Sequence, residues 1–232
     1  MDSHDFVLVE GLRGTRGILN DWNHRPLKIV GPWLLGALAI ALALLGTVLL
    51  IATTMRPDPT PFTISGLNSH ASVDDVFHIL FKNGLVLALH GFACVAGFIA
   101  GSSLPAEAER YSGHWRWIHD KAGPLAIAFV SAATLFSLLT QAYALGDIAA
   151  TTANYLHMPP GTLLLGLSLH AIPELTALFL PLAAWIIASR RDEWDHLLAA
   201  TFVTVGFAVP VLILCAVVEV YLSPDLVLAL RG

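Results

Sequence analysis

The chain has 232 residues, of which 56% are hydrophobic and 12% charged, with a formal charge of −5. A soluble domain carries about 25% charged residues, so a surface wet on every side is excluded and an integral membrane protein is expected. The negative balance and the lack of a basic tail argue against a nucleic-acid partner.

Residues 1–27 are short and mixed, a cytoplasmic segment in which Phe6, Val7, Val9 and Leu12 suit the apolar side of a surface helix. Residues 28–232 are expected to form one transmembrane domain, an all-α, polytopic helical bundle. A span takes about 20 apolar residues, and five runs qualify: 30–54, 84–102, 123–145, 161–189 and 197–222. The first is longer than a signal-peptide core of about 7–15 residues and shows no convincing cleavage site, so it is expected to stay attached. Met55–Asp75 holds Pro57, Pro59, Pro61, Gly66 and Asn68 and reads as an irregular loop. Val73–Phe81 is predicted as a short amphipathic surface helix, after which the chain turns into the second span at Lys82-Asn83-Gly84. In that span Ala93, Gly97 and Gly101 recur every four residues, a spacing that lets two helix backbones approach closely. The contact lies either within the bundle or between copies, which leaves a homo-oligomer open. Pro173 and Pro181 interrupt the fourth run and Pro210 the fifth; each removes a backbone hydrogen bond and favours a kink or break. Cys94 and Cys215 lie in apolar runs, match no metal or redox spacing, and are expected as buried structural thiols.

Basic residues set the expected orientation. Arg13, Arg16, Arg25 and Lys28 precede the first span, Arg110, Arg116 and Lys121 follow the second, and Arg190 and Arg191 follow the fourth. The opposite side receives Arg56 and Arg231, with Lys82 at a span edge. The amino terminus is therefore predicted in the cytoplasm and the carboxyl terminus outside, in a prokaryotic cytoplasmic membrane. Trp22, Trp33, Trp115, Trp117, Trp185 and Trp194 fall near the inner interface of this arrangement, and Tyr143, Tyr155 and Tyr221 near the outer one.

His170 and Glu174 are the only titratable residues between Gly161 and Ser189. An ionisable side chain at the bilayer centre costs about 2.5–3.5 kcal/mol on insertion scales, so a partner and a purpose are expected for each. At 1.5 Å per residue, His170 is predicted roughly 13 Å below the outer surface and Glu174 roughly 20 Å. His90 falls about 10 Å deep in the second span, and Glu219 within about 8 Å of the outer edge in the fifth. Lys82, Asn83 and His78 sit at the same rim. Three readings of this intramembrane polar cluster stand side by side. The groups hydrogen-bond across helices and fix the packing; or they handle an ion or proton; or His170 and Glu174, on one helix face, bind a metal with His90 or Glu219 completing the set. No H-E-x-x-H motif accompanies them, nor a serine–histidine pair with oxyanion-hole glycines, so no catalytic set is recognised.

Leu169-His170-Ala171-Ile172-Pro173-Glu174-Leu175, followed by Val218-Glu219-Val220-Tyr221-Leu222-Ser223-Pro224, resembles the stage II sporulation protein M family. That family carries H-G-x-x-E-[LI] in one span and I-E-x-x-x-[ST]-P near its end. Phe77-His78-Ile79-Leu80-Phe81-Lys82-Asn83-Gly84 is similar to its F-x-x-I-x-x-N-N segment, and Gln141-Ala142-Tyr143-Ala144-Leu145-Gly146 to its N-G-x-x-x-G stretch. The likeness runs from about Asp75 to Leu230, with Ala171 in place of a glycine and Lys82-Asn83 in place of paired asparagines. The resemblance implies a divergent, non-enzymatic membrane subunit without a cofactor, scaffolding or anchoring cell-envelope partners, peptidoglycan-remodelling ones among them. The alternatives that the residues leave open are a small transporter or channel for an ion, proton or metal, and an intramembrane metal-dependent enzyme.

Overall fold

A computed structural model describes residues 7–59, 64–105 and 112–231, with the side chains of 7–13, 103, 119 and 120 outside the description. Phe6, Pro61 and Arg110, and the side chains of Val7, Val9, Leu12 and Arg13, therefore lie outside the described residues. The described residues are 87% helical with no strand among them, which makes the structure all-α. The helices are α1 (Val7–Asn23), α2 (Pro26–Thr54), α3 (Val73–Phe98), α4 (His114–Tyr155), α5 (Pro160–Leu178), α6 (Leu180–Arg191), α7 (Leu197–Tyr221) and α8 (Ser223–Leu230). A π-helical turn, Ile99–Ser103, extends α3, and a 3-10 turn, Trp194–His196, leads into α7.

Five helical segments are long and apolar enough to cross a membrane: Pro26–Thr54, Val73–Ser102, His114–Tyr155, Pro160–Leu178 and Trp194–Tyr221. The shortest has 19 residues, about 29 Å at 1.5 Å per residue, close to the hydrocarbon thickness of a bilayer. Along α4, Leu125, Phe129, Phe136 and Leu139 all point outward, Phe129 at 74% exposure. An apolar face this open suits hydrocarbon rather than water.

Helix bounds differ from the sequence expectation in four places. First, no turn occurs at Lys82-Asn83-Gly84: α3 runs unbroken from Val73. Its start is held by a capping box, in which the Ser72 amide donates to Asp75 Oδ2 at 2.9 Å and the Asp75 amide donates to Ser72 Oγ at 3.3 Å. Second, α4 has 42 residues and extends well beyond 123–145. It stops only after Tyr155, where His157 takes φ 54° and the amides of His157 and Met158 return to the carbonyls of Asn154 and Ala153, a Schellman closure.

Third, the run 161–189 is two helices, parted at Phe179 (φ −90°, ψ 1°). Pro181 falls in the first turn of α6, where a missing amide leaves no hydrogen bond unmade. Pro173 and Pro210 lie within the continuous helices α5 and α7, so the break belongs to Pro181 rather than to them. Fourth, the fifth span finishes at Tyr221, within a residue of the expected 222, but the chain does not stop being helical: it bends at Leu222 and continues as α8, packed on α5.

The described residues form two packed units. The first comprises Met1–Ala37, Leu87–Leu135 and Phe179–Phe207; the second comprises Leu38–Val86, Phe136–Leu178 and Ala208–Gly232. All six tryptophans belong to the first, and Tyr143, Tyr155 and Tyr221 to the second. Trp33 and Trp185 are buried, which makes them packing residues rather than headgroup anchors. Trp22 meets Trp33 edge-on, with ring centroids 5.2 Å apart. Cys94 and Cys215 are free and buried, as expected, and Cys94 Sγ donates to the Pro181 carbonyl at 3.1 Å.

Within the first unit Gly97 and Gly101 of the Ala93-Gly97-Gly101 stripe receive indole rings, not a second backbone. A Cβ on Gly97 would meet Trp185 Nε1 at 2.5 Å and Leu197 Cδ1 at 2.9 Å, and one on Gly101 would overlap the Trp194 ring. Bulky rings thus fill the groove that the small residues open. Gly97→Ala should therefore cost about 1–3 kcal/mol through overpacking, seen as a lower melting temperature of the detergent-solubilised chain. Gly84→Ala, with nothing within 4 Å of the new methyl, should leave that temperature unchanged or raise it. Equal effects at both positions would show that the groove is not filled.

Candidate functional site

Helix α5 has a buried stripe of Leu163, Gly166 and His170, three and four residues apart, as one helical face requires. The stripe faces α8, whose buried side chains are Ser223, Pro224 and Val227. Gly166 is needed here: a Cβ on it would meet Val227 Cγ2 at 2.8 Å and Leu230 Cδ1 at 3.5 Å. Because Gly166 pairs with Val227 and His170 with Ser223, the two helices run antiparallel in a register that advances four residues on each. One turn further along, α5 presents Glu174 and the last turn of α7 presents Glu219.

This register brings the chemistry together. His170 Nδ1 lies 2.7 Å from Ser223 Oγ, both buried. Asn83, on α3, donates from Nδ2 to Glu174 Oε1 at 3.0 Å. One ligand-type atom from each of His170, Glu174 and Glu219 lies within 4.8 Å of the others. Glu174 Oε2 is buried and has no hydrogen-bond partner. Such a group costs about 1–3 kcal/mol when left unsatisfied, and more when charged. Two carboxylates this close also repel strongly away from bulk water. The arrangement is relieved by a shared proton or by a cation.

A cavity of about 450 Å³ adjoins these groups, with Glu219 and Ser223 in its wall and Asp75, His78 and Lys82 among its other lining residues. It is bounded on one side by the 64–69 turn, where Gly66 takes φ +79° and Asn68 Oδ1 accepts the Ile64 amide at 2.7 Å. A Cβ on Gly66 would meet Pro224 Cγ at 2.5 Å. The positive φ and the close approach to α8 both call for glycine there.

Of the residues singled out in the sequence, His170, Glu174, Glu219 and Asn83 form one cluster, and Lys82 lines the adjoining cavity. His90 belongs to the first unit, fully buried with its ring edge-on to Phe179 at 5.4 Å. Ser223 was not among the expected cluster residues, although it fills the [ST] position of the I-E-x-x-x-[ST]-P pattern that the end of the chain resembles, and it stands four residues after Glu219, as Glu174 does after His170. The fold turns that motif position into a serine–histidine pair.

Family models, curated proteins and solved structures were compared with the chain, and none matches.

The His170–Ser223 contact should carry measurable coupling. A double-mutant cycle with His170→Ala and Ser223→Ala, read by thermal unfolding, is expected to return a coupling energy of about 1 kcal/mol or more. Additive effects would mean that the two side chains do not interact.

Proposed function

We propose that this chain is a multi-pass protein of a prokaryotic cytoplasmic membrane that takes up a cation or proton from the external side, at the His170–Glu174–Glu219 cluster. In this reading the amino terminus is cytoplasmic and the carboxyl terminus external, as the bias of basic residues favours. In that orientation Glu219, in the last turn of α7, lies toward the external end of the fifth span. The observation that carries the reading is the convergence of three ligand-type atoms within 4.8 Å, one of them on a glutamate with an orphaned buried oxygen. Packing alone asks for satisfied polar groups. Intramembrane acids facing a cavity are the recurring feature of ion and proton pathways.

A second reading keeps the same clasp as pure architecture in a non-enzymatic subunit that anchors envelope partners. What favours it is that the residues carrying the family resemblance are those that tie α3, α5 and α8 together: Asn83 to Glu174, and His170 to Ser223. Recovery of the chain with specific envelope proteins from native membranes would support this alternative.

Reconstituted liposomes separate the two. Under the first reading the parent supports flux of a proton, monovalent or divalent cation, and Glu174→Gln lowers it at least tenfold while the variant still inserts and stays folded. No flux of any of these ions, or flux untouched by Glu174→Gln, would remove it.

A further inference from the structure

We infer that the cation held by this cluster is a divalent transition metal of the zinc class, ligated by His170, Glu174 and Glu219. Ser223 and Asn83 orient two of those ligands, and the fourth coordination position opens on the cavity. The inference rests on the reading of the cluster as a cation site and names what occupies it.

The donor set is the first argument. One imidazole with two carboxylates suits zinc and its neighbours, whereas magnesium and calcium prefer oxygen alone. Three protein ligands with one open position are the arrangement of zinc sites that exchange or activate a bound water. The spacing agrees. Donors about 2.0–2.2 Å from a tetrahedral metal sit roughly 3.4 Å from one another, and the three atoms here already lie within 4.8 Å. Side-chain torsions close that difference without moving a helix.

The outer partners supply the second argument. A metal-bound histidine generally engages its other ring nitrogen with a fixed partner, which sets the tautomer and the ring plane. Ser223 Oγ occupies Nδ1 at 2.7 Å, which leaves Nε2 as the nitrogen for the metal. Asn83 takes Oε1 of Glu174 in the same way, leaving the partnerless Oε2 as the ligand oxygen. Each contact removes one of two donor atoms and presents the other.

Charge and access complete the case. Two carboxylates balance a divalent ion, so the loaded site is neutral and avoids the penalty of a net charge within lipid. Of the three ligands, Glu219 lines the cavity, together with Asp75, His78 and Lys82, so it is the ligand that an incoming metal meets first. Lys82, in the wall of the same cavity, offsets part of the acids' charge when the site is empty.

The test uses the full chain, purified in detergent, stripped with chelator and equilibrated with Zn²⁺, Mn²⁺ or Mg²⁺. About one equivalent of Zn²⁺ should be retained, and the melting temperature should rise by ~5 °C or more at a hundredfold excess over Kd. Mg²⁺ at the same concentration should do neither. Glu174→Gln and Glu219→Gln should each weaken Zn²⁺ binding at least tenfold. Ser223→Ala should weaken it about 10–100-fold, measured against its own metal-free melting temperature. Zinc-edge X-ray absorption on the parent, which needs no variant to fold, should report nitrogen and oxygen donors. Less than about a tenth of an equivalent of both Zn²⁺ and Mn²⁺, retention in both glutamine variants, or sulfur in the shell would overturn the inference. If metal is not retained while Glu174-dependent proton or monovalent flux persists, the metal assignment falls and the cation reading stands. If that flux is also missing, both fall.

Discussion

The pairing of His170 with Ser223 across the antiparallel α5–α8 contact is the interaction on which the second unit depends. It is a short contact, 2.7 Å, between two buried polar side chains, where leaving either one unpaired is costly. Register follows from it. With His170 opposite Ser223 and Gly166 opposite Val227, the turn at Leu222 is placed, and Glu219 is carried to the level of Glu174. A shift of one residue on α8 would rotate Ser223 by about 100° about the helix axis and lose the contact. It would also press a side chain into the space kept clear at Gly166. Polar pairing and steric fit therefore select the same alignment, and neither would define it as sharply alone.

The polar cluster sets helix ends against helix interiors: His170 and Glu174 lie within α5 and Asn83 within α3. Glu219 occupies the last turn of α7, Ser223 opens α8, and the 64–69 turn closes over Pro224. Helix ends offer side chains that two uninterrupted spans could not bring to one point, and irregular backbone at such places is tolerated where it is buried in protein or lines a cavity. The capping box of Ser72 and Asp75 has a comparable role on α3. By starting that helix at Val73, it sets the rotation that aims Asn83 at Glu174 and places His78 and Lys82 on the cavity wall.

The first unit is organised differently, by ring packing. Trp185, Trp194 and Leu197 fill the groove left by Gly97 and Gly101, His90 rests edge-on against Phe179, and Cys94 satisfies the Pro181 carbonyl beside the break between α5 and α6. Small residues at four-residue spacing are commonly read as backbone contacts. Here the partner surface is aromatic, and the spacing by itself does not distinguish a backbone from an indole ring.

What the sequence determined unaided is the class and the candidates. Apolar runs of span length among few charges identify five helices long and apolar enough to cross a membrane, because the bilayer demands that length and that composition. His170, Glu174 and Glu219 stand out because an ionisable group within such a run is expensive and therefore rare. The bounds of the helices were less legible: the capping box extending α3, the left-handed His157 ending α4, and the choice of Pro181 over Pro173 for a break each depend on backbone geometry that local composition does not dictate. Ser223 was marked by the resembled [ST]-P ending but not by any role, because serine is at home in any terminal turn. Only the antiparallel docking of α8 on α5 gives it a histidine to hold. Tertiary structure likewise assigned His90 to the first unit, where its ring packs edge-on against Phe179; a depth counted from an expected start at residue 84 could not show this, because α3 begins at Val73 and local composition does not fix where a helix starts.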